Sequence, residues 1–215
     1  LLTNNSYGSS ASACRTFGGY NSNSQYIDQQ LLDYPAIMHV FATGNEVTRI
    51  CPPFPAGFQT VFGGAQSAKN TITVGGSNKD PLTNFYSKGP TLDGRIKPEI
   101  TAIGRNVFST VPFNVYGSNF GTSMACPQVT GSLALLIERY RQLNNGSNPP
   151  GALLKNIICN ASIDIGNTGP DFANGYGSLD ALSAVEMLEK KNYYSSSIEH
   201  GQQQNNSFTI GANTS

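Results

Sequence analysis

Ser123 lies in the stretch Gly121-Thr122-Ser123-Met124-Ala125-Cys126-Pro127-Gln128-Val129-Thr130-Gly131, between a glycine turn and an apolar helical run with a proline in its opening turns. A hydroxyl in that place faces unpaired backbone N–H groups and the positive end of the helix dipole, which favour developing negative charge. That environment suits a nucleophile whose attack on a carbonyl creates an oxyanion. Helix capping is the competing reading, because serine is favoured at helix starts. A serine hydroxyl is a weak nucleophile at neutral pH and needs a histidine to take its proton.

The elements that must position Ser123 read as alternating strands and helices. Leu1 to Tyr7 reads as a strand, and the polar Gly8 to Asn23 as a loop or insertion. Tyr26, Ile27, Gln30 and Leu31 fall at helical spacing, with an end before Pro35. Ile37 to Phe41 reads as a buried strand running into Gly44, and Thr71 to Val74 and Val107 to Val111 as two more. Pro52-Pro53-Phe54-Pro55 marks a surface loop. A helix from Ser123 carries Leu133, Leu136, Ile137 and Tyr140 on one stripe and stops near Asn145-Gly146. Pro150 opens a second helix with Leu153, Leu154, Ile157 and Ile158, and Leu179, Leu182, Val185 and Leu188 predict a third. This alternation predicts an α/β domain around a mostly parallel sheet flanked by helices. Asn192 to Ser215 is polar, without a helical stripe, and reads as a linker into a β-rich domain.

Composition narrows the function classes. Thirteen Lys and Arg balance thirteen Asp and Glu, and no basic block supplies the charge that a phosphate backbone demands, which argues against nucleic acid as a partner. The longest apolar stretches, such as Leu133 to Ile137, are too short to span a bilayer. The opening Leu1-Leu2-Thr3-Asn4-Asn5 lacks a basic start and a cleavage region, so the chain reads as a mature or excised segment. Low charge and abundant Gly, Asn and Ser suggest a secreted or cell-surface enzyme with long polar loops. Cys14 and Cys51 lie in Ser/Gly/Pro-rich stretches and Cys126 and Cys159 in apolar ones, which predicts one disulfide between the first two and two buried thiols.

The serine stretch closely resembles the nucleophile motif of the subtilisin-like serine peptidases. Asn5-Ser6-Tyr7-Gly8 resembles that family's substrate-binding strand, and His39-Val40-Phe41-Ala42-Thr43-Gly44-Asn45 its strand ending in the oxyanion-hole asparagine. Phe85 to Pro90, Lys97 to Ile100, Ala102 to Gly104 and Gly175 to Ala181 follow the family's route in the same order, so the resemblance covers roughly residues 1 to 190. It implies a serine endopeptidase acting on peptide or protein substrates, with Ser123 as nucleophile and the Asn45 amide as oxyanion donor beside the Ser123 N–H. Ser6, Tyr7 and Gly8 would form one wall of the primary specificity pocket, and Ala42, Thr43 and Gly44 the other. The small residues of the second wall lead us to expect room for a sizeable side chain. Thr122 is explained equally by assistance to the oxyanion or by capping, and Asn45 also fits ordinary Asn-Gly turn chemistry.

The resemblance departs at the base. Of the two histidines, His39 reads as a buried or half-buried structural residue and His200 as solvated, and neither has the family's His-Gly-Thr-His context. Asp28 and Asp33 read as solvent-facing helix residues. The family's Asp-His-Ser order therefore places both missing triad members before Leu1, in an N-terminal remainder of the same domain that the chain needs as a partner. On its own the chain is expected to be inactive, and a non-catalytic pseudopeptidase or scaffold module is the alternative. Gln128 stands where many relatives carry a histidine outside the triad. An esterase elbow is disfavoured, because Gly121-Thr122-Ser123-Met124-Ala125 ends in alanine. Asp80, Asp93, Asp164, Asp171 and Asp180 are scattered singly and form no metal motif; structural calcium is implied by resemblance alone, with no ligands assigned.

Overall fold

The computed structural model describes residues 1–10, 13–78 and 86–207. Four parallel strands, β1 (Leu2–Asn5), β2 (Met38–Ala42), β3 (Ile72–Ser77) and β4 (Ile100–Ile103), form one sheet in the order β1-β2-β3-β4. Strands β5 (Val107–Val111) and β6 (Val115–Asn119) form a separate antiparallel hairpin. The helices are α1 (Ser22–Asp33), α2 (Thr122–Leu143), α3 (Gly151–Asn160) and α4 (Ala181–Glu189). This is the α/β architecture that the alternating pattern predicts.

Side-chain periodicity explains the packing. Met38, Val40 and Ala42 of β2, Ile72 and Val74 of β3, and Ile100 and Ala102 of β4 occupy alternate positions and share one core with the helices. Helix α2 packs against all four strands and contributes Ala125, Cys126, Val129, Leu133 and Leu136, a stripe at helical period. Helices α3 and α4 pack against α2 and against each other. Asn21 caps α1 by accepting from the Asn23 and Ser24 N–H groups, so the helix begins inside the stretch read as loop. Asp180 caps α4 through the Ser183 N–H.

Several expectations need correction. Strand β3 runs through Gly75-Gly76 instead of stopping before them, because a side chain at Gly75 would collide with the buried Tyr86 ring, 2.6 Å from its Cε2. Val107 to Val111 is a strand but belongs to the hairpin, outside the parallel sheet. In α4, Leu188 is buried but Leu182 is 71% exposed, so Ala184 supplies the contact assigned to it. Asp28 is buried, not solvent-facing: its carboxylate accepts from the Lys69 and Asn70 N–H groups at 3.0 and 2.8 Å and from the Tyr20 hydroxyl at 2.9 Å. It fastens α1 to the approach of β3, since a buried carboxylate is stable only when its lone pairs are matched by donors.

A buried ion triad braces β3, β4 and α3. Glu99 Oε1 accepts from Lys97 Nζ and Lys155 Nζ, each at 2.7 Å, while Oε2 accepts from the Thr73 N–H at 2.8 Å. Burial pushes the Lys97 ammonium down to about 8. Burial acts to raise the Glu99 carboxyl, but the two lysines outweigh it and hold it below the ordinary carboxylate range. Cys14 and Cys51 form a disulfide, and Cys126 and Cys159 are free and buried, as their contexts predict.

Candidate active site

The residues predicted to do chemistry converge beyond the carboxyl ends of β1 and β2, where ligands of open parallel sheets bind. Ser6, Tyr7 and Gly8 follow β1, Gly44 and Asn45 follow β2, and Thr122 and Ser123 open α2. With Ala42 and Phe62 they line one cavity of about 170 Å³. Thr43 is the predicted wall residue that does not line it: it is fully buried, with its carbonyl accepting from the Phe62 N–H at 3.0 Å. A larger cavity, about 450 Å³, lies among Leu31, Pro35, Met38 and Gly151 and is lined by no hydroxyl or thiol side chain.

Ser123 and Ser6 are joined twice. The Ser123 hydroxyl donates to the Ser6 carbonyl at 3.1 Å, and the Ser6 hydroxyl donates to the Ser123 carbonyl at 3.0 Å. The second bond has a cause in the helix. Pro127 has no N–H to give to the carbonyl four residues earlier, which is that of Ser123. Ser6 fills the vacancy and so holds the pocket wall against the start of α2. Gly121, at φ 134°, makes the turn that delivers Ser123 to the cavity.

Asn45 is oriented by Thr122. Its Oδ1 accepts from the Thr122 N–H at 3.0 Å and from the Thr122 hydroxyl at 3.1 Å. The same hydroxyl accepts from the Gly44 N–H at 3.4 Å, and Thr122 is 1% exposed. Its oxygen is thus engaged by Thr122, and Asn45 lines the same cavity as Ser123. Sequence reading left Thr122 between capping and assistance; the structure shows its side chain bound to the Asn45–Gly44 turn.

Neither histidine reaches the nucleophile. Asn5 Nδ2 donates to Thr3 Oγ1 at 2.7 Å, and the same hydroxyl shares a hydrogen bond with His39 Nδ1, also at 2.7 Å. His39 Nε2 is buried without a hydrogen-bond partner among the described residues, and burial lowers the pKa of the ring. His200 is exposed in the segment after α4. Asp33 is exposed and accepts from Gln29 at 2.7 Å. The Cys126 thiol is pushed up to about 11 by burial, which makes it a poor nucleophile. Gln128 donates to the Met124 carbonyl at 3.0 Å and to the Ile103 carbonyl, tying α2 to the end of β4.

The pocket walls overturn one expectation. A Cβ built on Gly8 would lie 2.5 Å from Phe62 Cδ2, and one built on Gly44 would lie 2.5 Å from Phe62 Cε1. Opposite edges of one ring thus press on both walls, and the room expected for a sizeable side chain is occupied. Nothing in the sequence marks Phe62, which sits in a loop far from the motifs.

Among the described residues no three His, Cys, Asp or Glu side chains gather as metal ligands. Asp93 is engaged by Thr91 and Arg95, and Asp180 caps its helix. Asp164 and Asp171 accept from N–H groups of their own loop. Asp80 lies outside the described residues. No helix among them is long and apolar enough to cross a membrane.

Residues 2–177 match the subtilase family, peptidase S8. The chain belongs to the subtilase family. The match takes in both pocket walls, Asn45 and Ser123. Among relatives of this subtilase, the PII-type proteinase of Lactococcus lactis subsp. cremoris is 34% identical over 130 residues, which cover 52% of this chain and 7% of that protein. Pyrolysin of Pyrococcus furiosus is 31% identical over 116 residues, covering 50% of this chain and 8% of its own. The C5a peptidase of Streptococcus pyogenes is 40% identical over 81 residues, covering 34% and 7%. The chain thus spans less than a tenth of the length of these relatives. In fold, it superposes on the prenylagaramide maturation protease PagA with a TM-score of 0.65 at 23% identity, over 87% of this chain and 62% of that one.

Proposed function

We propose that this chain is the C-terminal portion, residues 1–190, of a subtilase catalytic domain that hydrolyses peptide bonds within proteins or peptides. Ser123 attacks the scissile carbonyl, and the tetrahedral oxyanion accepts from Asn45 Nδ2 and the Ser123 N–H. The observation that carries this reading is the Asn45–Thr122 pairing, which engages the amide oxygen of a residue lining the same cavity as Ser123 and so supports Nδ2 as the oxyanion donor. The backbone of Ser6-Tyr7-Gly8 and Ala42-Thr43-Gly44 binds an extended peptide as an added strand. The proton acceptor and its carboxylate come from a segment outside residues 1–215, because both histidines here are directed elsewhere. That segment pairs with the outer edge of β1, which has only β2 as a strand neighbour among the described residues. The enzyme works at or beyond the cell surface, and residues 191–215 lead into a further β-rich domain.

The test is fluorophosphonate labelling and peptide hydrolysis by the longer protein that carries this chain, beside its Ser123→Ala form. Labelling and turnover are expected in the first and not the second; equal behaviour would refute the assignment. If the longer protein lacks an Asp and a His able to meet Ser123, the chain is instead a peptide-binding pseudopeptidase. The misdirected His39 is the observation that keeps that second reading in view.

A further inference from the structure

The Phe62 ring lies where the side chain before the scissile bond has to enter. The two walls diverge from neighbouring strands, and each presents a glycine, Gly8 and Gly44, to the gap between them. In an unoccupied gap those positions would let a long side chain slide in. Here the gap holds an aromatic ring, with Cδ2 2.5 Å from a Cβ built on Gly8 and Cε1, Cδ1 and Cζ within 2.8 Å of one built on Gly44. The whole cavity, which also serves Asn45 and Ser123, is about 170 Å³, against roughly 300–1,000 Å³ for pockets that take drug-sized ligands.

The ring is held there from behind. The Phe62 N–H donates to the Thr43 carbonyl at 3.0 Å, which fixes its backbone to the second wall. Val61 is fully buried and its carbonyl accepts from the Gly18 N–H at 2.6 Å. Gly63 is pressed so closely on the Thr16 carbonyl that a Cβ would lie 2.4 Å from its oxygen. The fully buried Phe17 stacks on Phe62, with centroids 6.3 Å apart and planes at 29°. Chain segments 16–19 and 61–64 thus form one clamp, and the Cys14–Cys51 disulfide ties the stretch just before it. The ring is half-buried, with its two edges against the walls and its face on Phe17, so swinging aside for substrate forfeits those contacts.

We infer that Phe62 sets the specificity of this protein, restricting the residue before the scissile bond to small side chains such as Gly, Ala or Ser. This rests on the endopeptidase reading above and adds the substrate class to it. The physics is steric exclusion: a pocket discriminates strongly against a group too large to enter, at about 10–200-fold per misfitted methylene.

The experiment uses the longer protein that carries this chain, with tetrapeptide anilides differing only in the last residue: Ala, Ser, Leu or Phe. The wild type is expected to hydrolyse the Ala and Ser substrates with kcat/KM about 100-fold or more above the Phe substrate. Phe62→Ala should raise kcat/KM for the Phe substrate relative to the Ala substrate at least about 10-fold. Phe62→Leu, which keeps apolar contact with Phe17 while shortening the ring, should shift preference toward Leu, and it decides the matter if the alanine variant does not fold. Wild-type hydrolysis of the Phe substrate as fast as the Ala substrate would overturn the inference alone, as would an unchanged profile in a folded variant. Failure to cleave any substrate, together with no labelling of Ser123, would overturn the endopeptidase reading and this inference with it.

Discussion

Thr122 holds Asn45 by its oxygen: the backbone N–H and the hydroxyl of the one both donate to Oδ1 of the other, at 3.0 and 3.1 Å. The arrangement separates two jobs within one amide. The oxygen is spent on position, which on the proposed reading leaves the nitrogen for a charge that exists only during reaction.

Replacing Asn45 with alanine should therefore lower kcat by about 10²–10³-fold with little change in KM, a magnitude that itself comes from a subtilisin. Thr122→Val keeps the N–H bond and loses the hydroxyl, so a drop of about 10-fold in kcat is expected, equal to ~1.4 kcal/mol of barrier. Steady-state kinetics on the longer protein check both. An effect on KM alone would mean that Asn45 serves binding and not the transition state.

Glu99→Gln should destabilise the fold by about 3–5 kcal/mol, because it strands the Lys97 ammonium, 1% exposed, without its anion. Lys155 is partly exposed and can turn to water. The pH dependence has a definite sign. A carboxyl held below its usual value of 4.5 adds stability above that pH, and the gain is lost as pH falls through the folded value. Urea unfolding as a function of pH should show a steep acid limb in wild type and a shallower one in the variant.

His39 gives a second, separable pH effect. Its folded pKa lies below the ordinary 6.5 because of burial, so the unfolded chain takes up the proton first as pH drops. Stability should be level above about pH 6.5 and decline as pH falls from there toward the folded value. His39→Gln should flatten that decline; an unchanged slope between pH 7 and 5 would assign it to other groups.

The cysteines make a count. Native protein at pH 8 should expose no thiol to Ellman's reagent among these residues, because burial raises Cys126 to about 11 and Cys159 to about 12. Unfolded without reductant, this chain should titrate the two thiols Cys126 and Cys159, with Cys14 and Cys51 appearing only after reduction. Replacing Cys14 and Cys51 together by serine should cost about 2–4 kcal/mol, measured as a shift in the unfolding midpoint.

The meeting of Ser123, Asn45 and five of the six wall residues was legible in the sequence because each sits at the end of a strand or the start of a helix, where composition changes sharply. The cysteine pairing was legible because Ser/Gly/Pro-rich and apolar sequence contexts separate the bonded cysteines from the free ones. Asp28 was not legible: a carboxylate among glutamines on a helix looks solvated until residues 69 and 70 arrive to donate to it. β3 was cut short because a glycine pair weakens a strand on propensity alone, whereas Gly75 is there to let Tyr86 approach. Phe62 is the extreme case, since its position between Gly8 and Gly44 is a meeting of three segments that no local pattern encodes. Position along the chain thus revealed which residues meet, and only packing revealed that Phe62 stands among them.

Strands β1 and β2 lie side by side with Asn5 opposite Phe41, and each pocket wall begins within a few residues of that pair. Neighbouring strands keep a spacing of about 4.7–4.9 Å that backbone hydrogen bonding dictates. Where the walls set out from the sheet, their separation is therefore a ruler set by the main chain and closed to tuning by side-chain substitution there. On the proposed reading, substrate preference can change in such a protein without disturbing the catalytic frame, through residues sent into the gap from a third segment. A loop with no part in the chemistry becomes the place where new preferences can evolve.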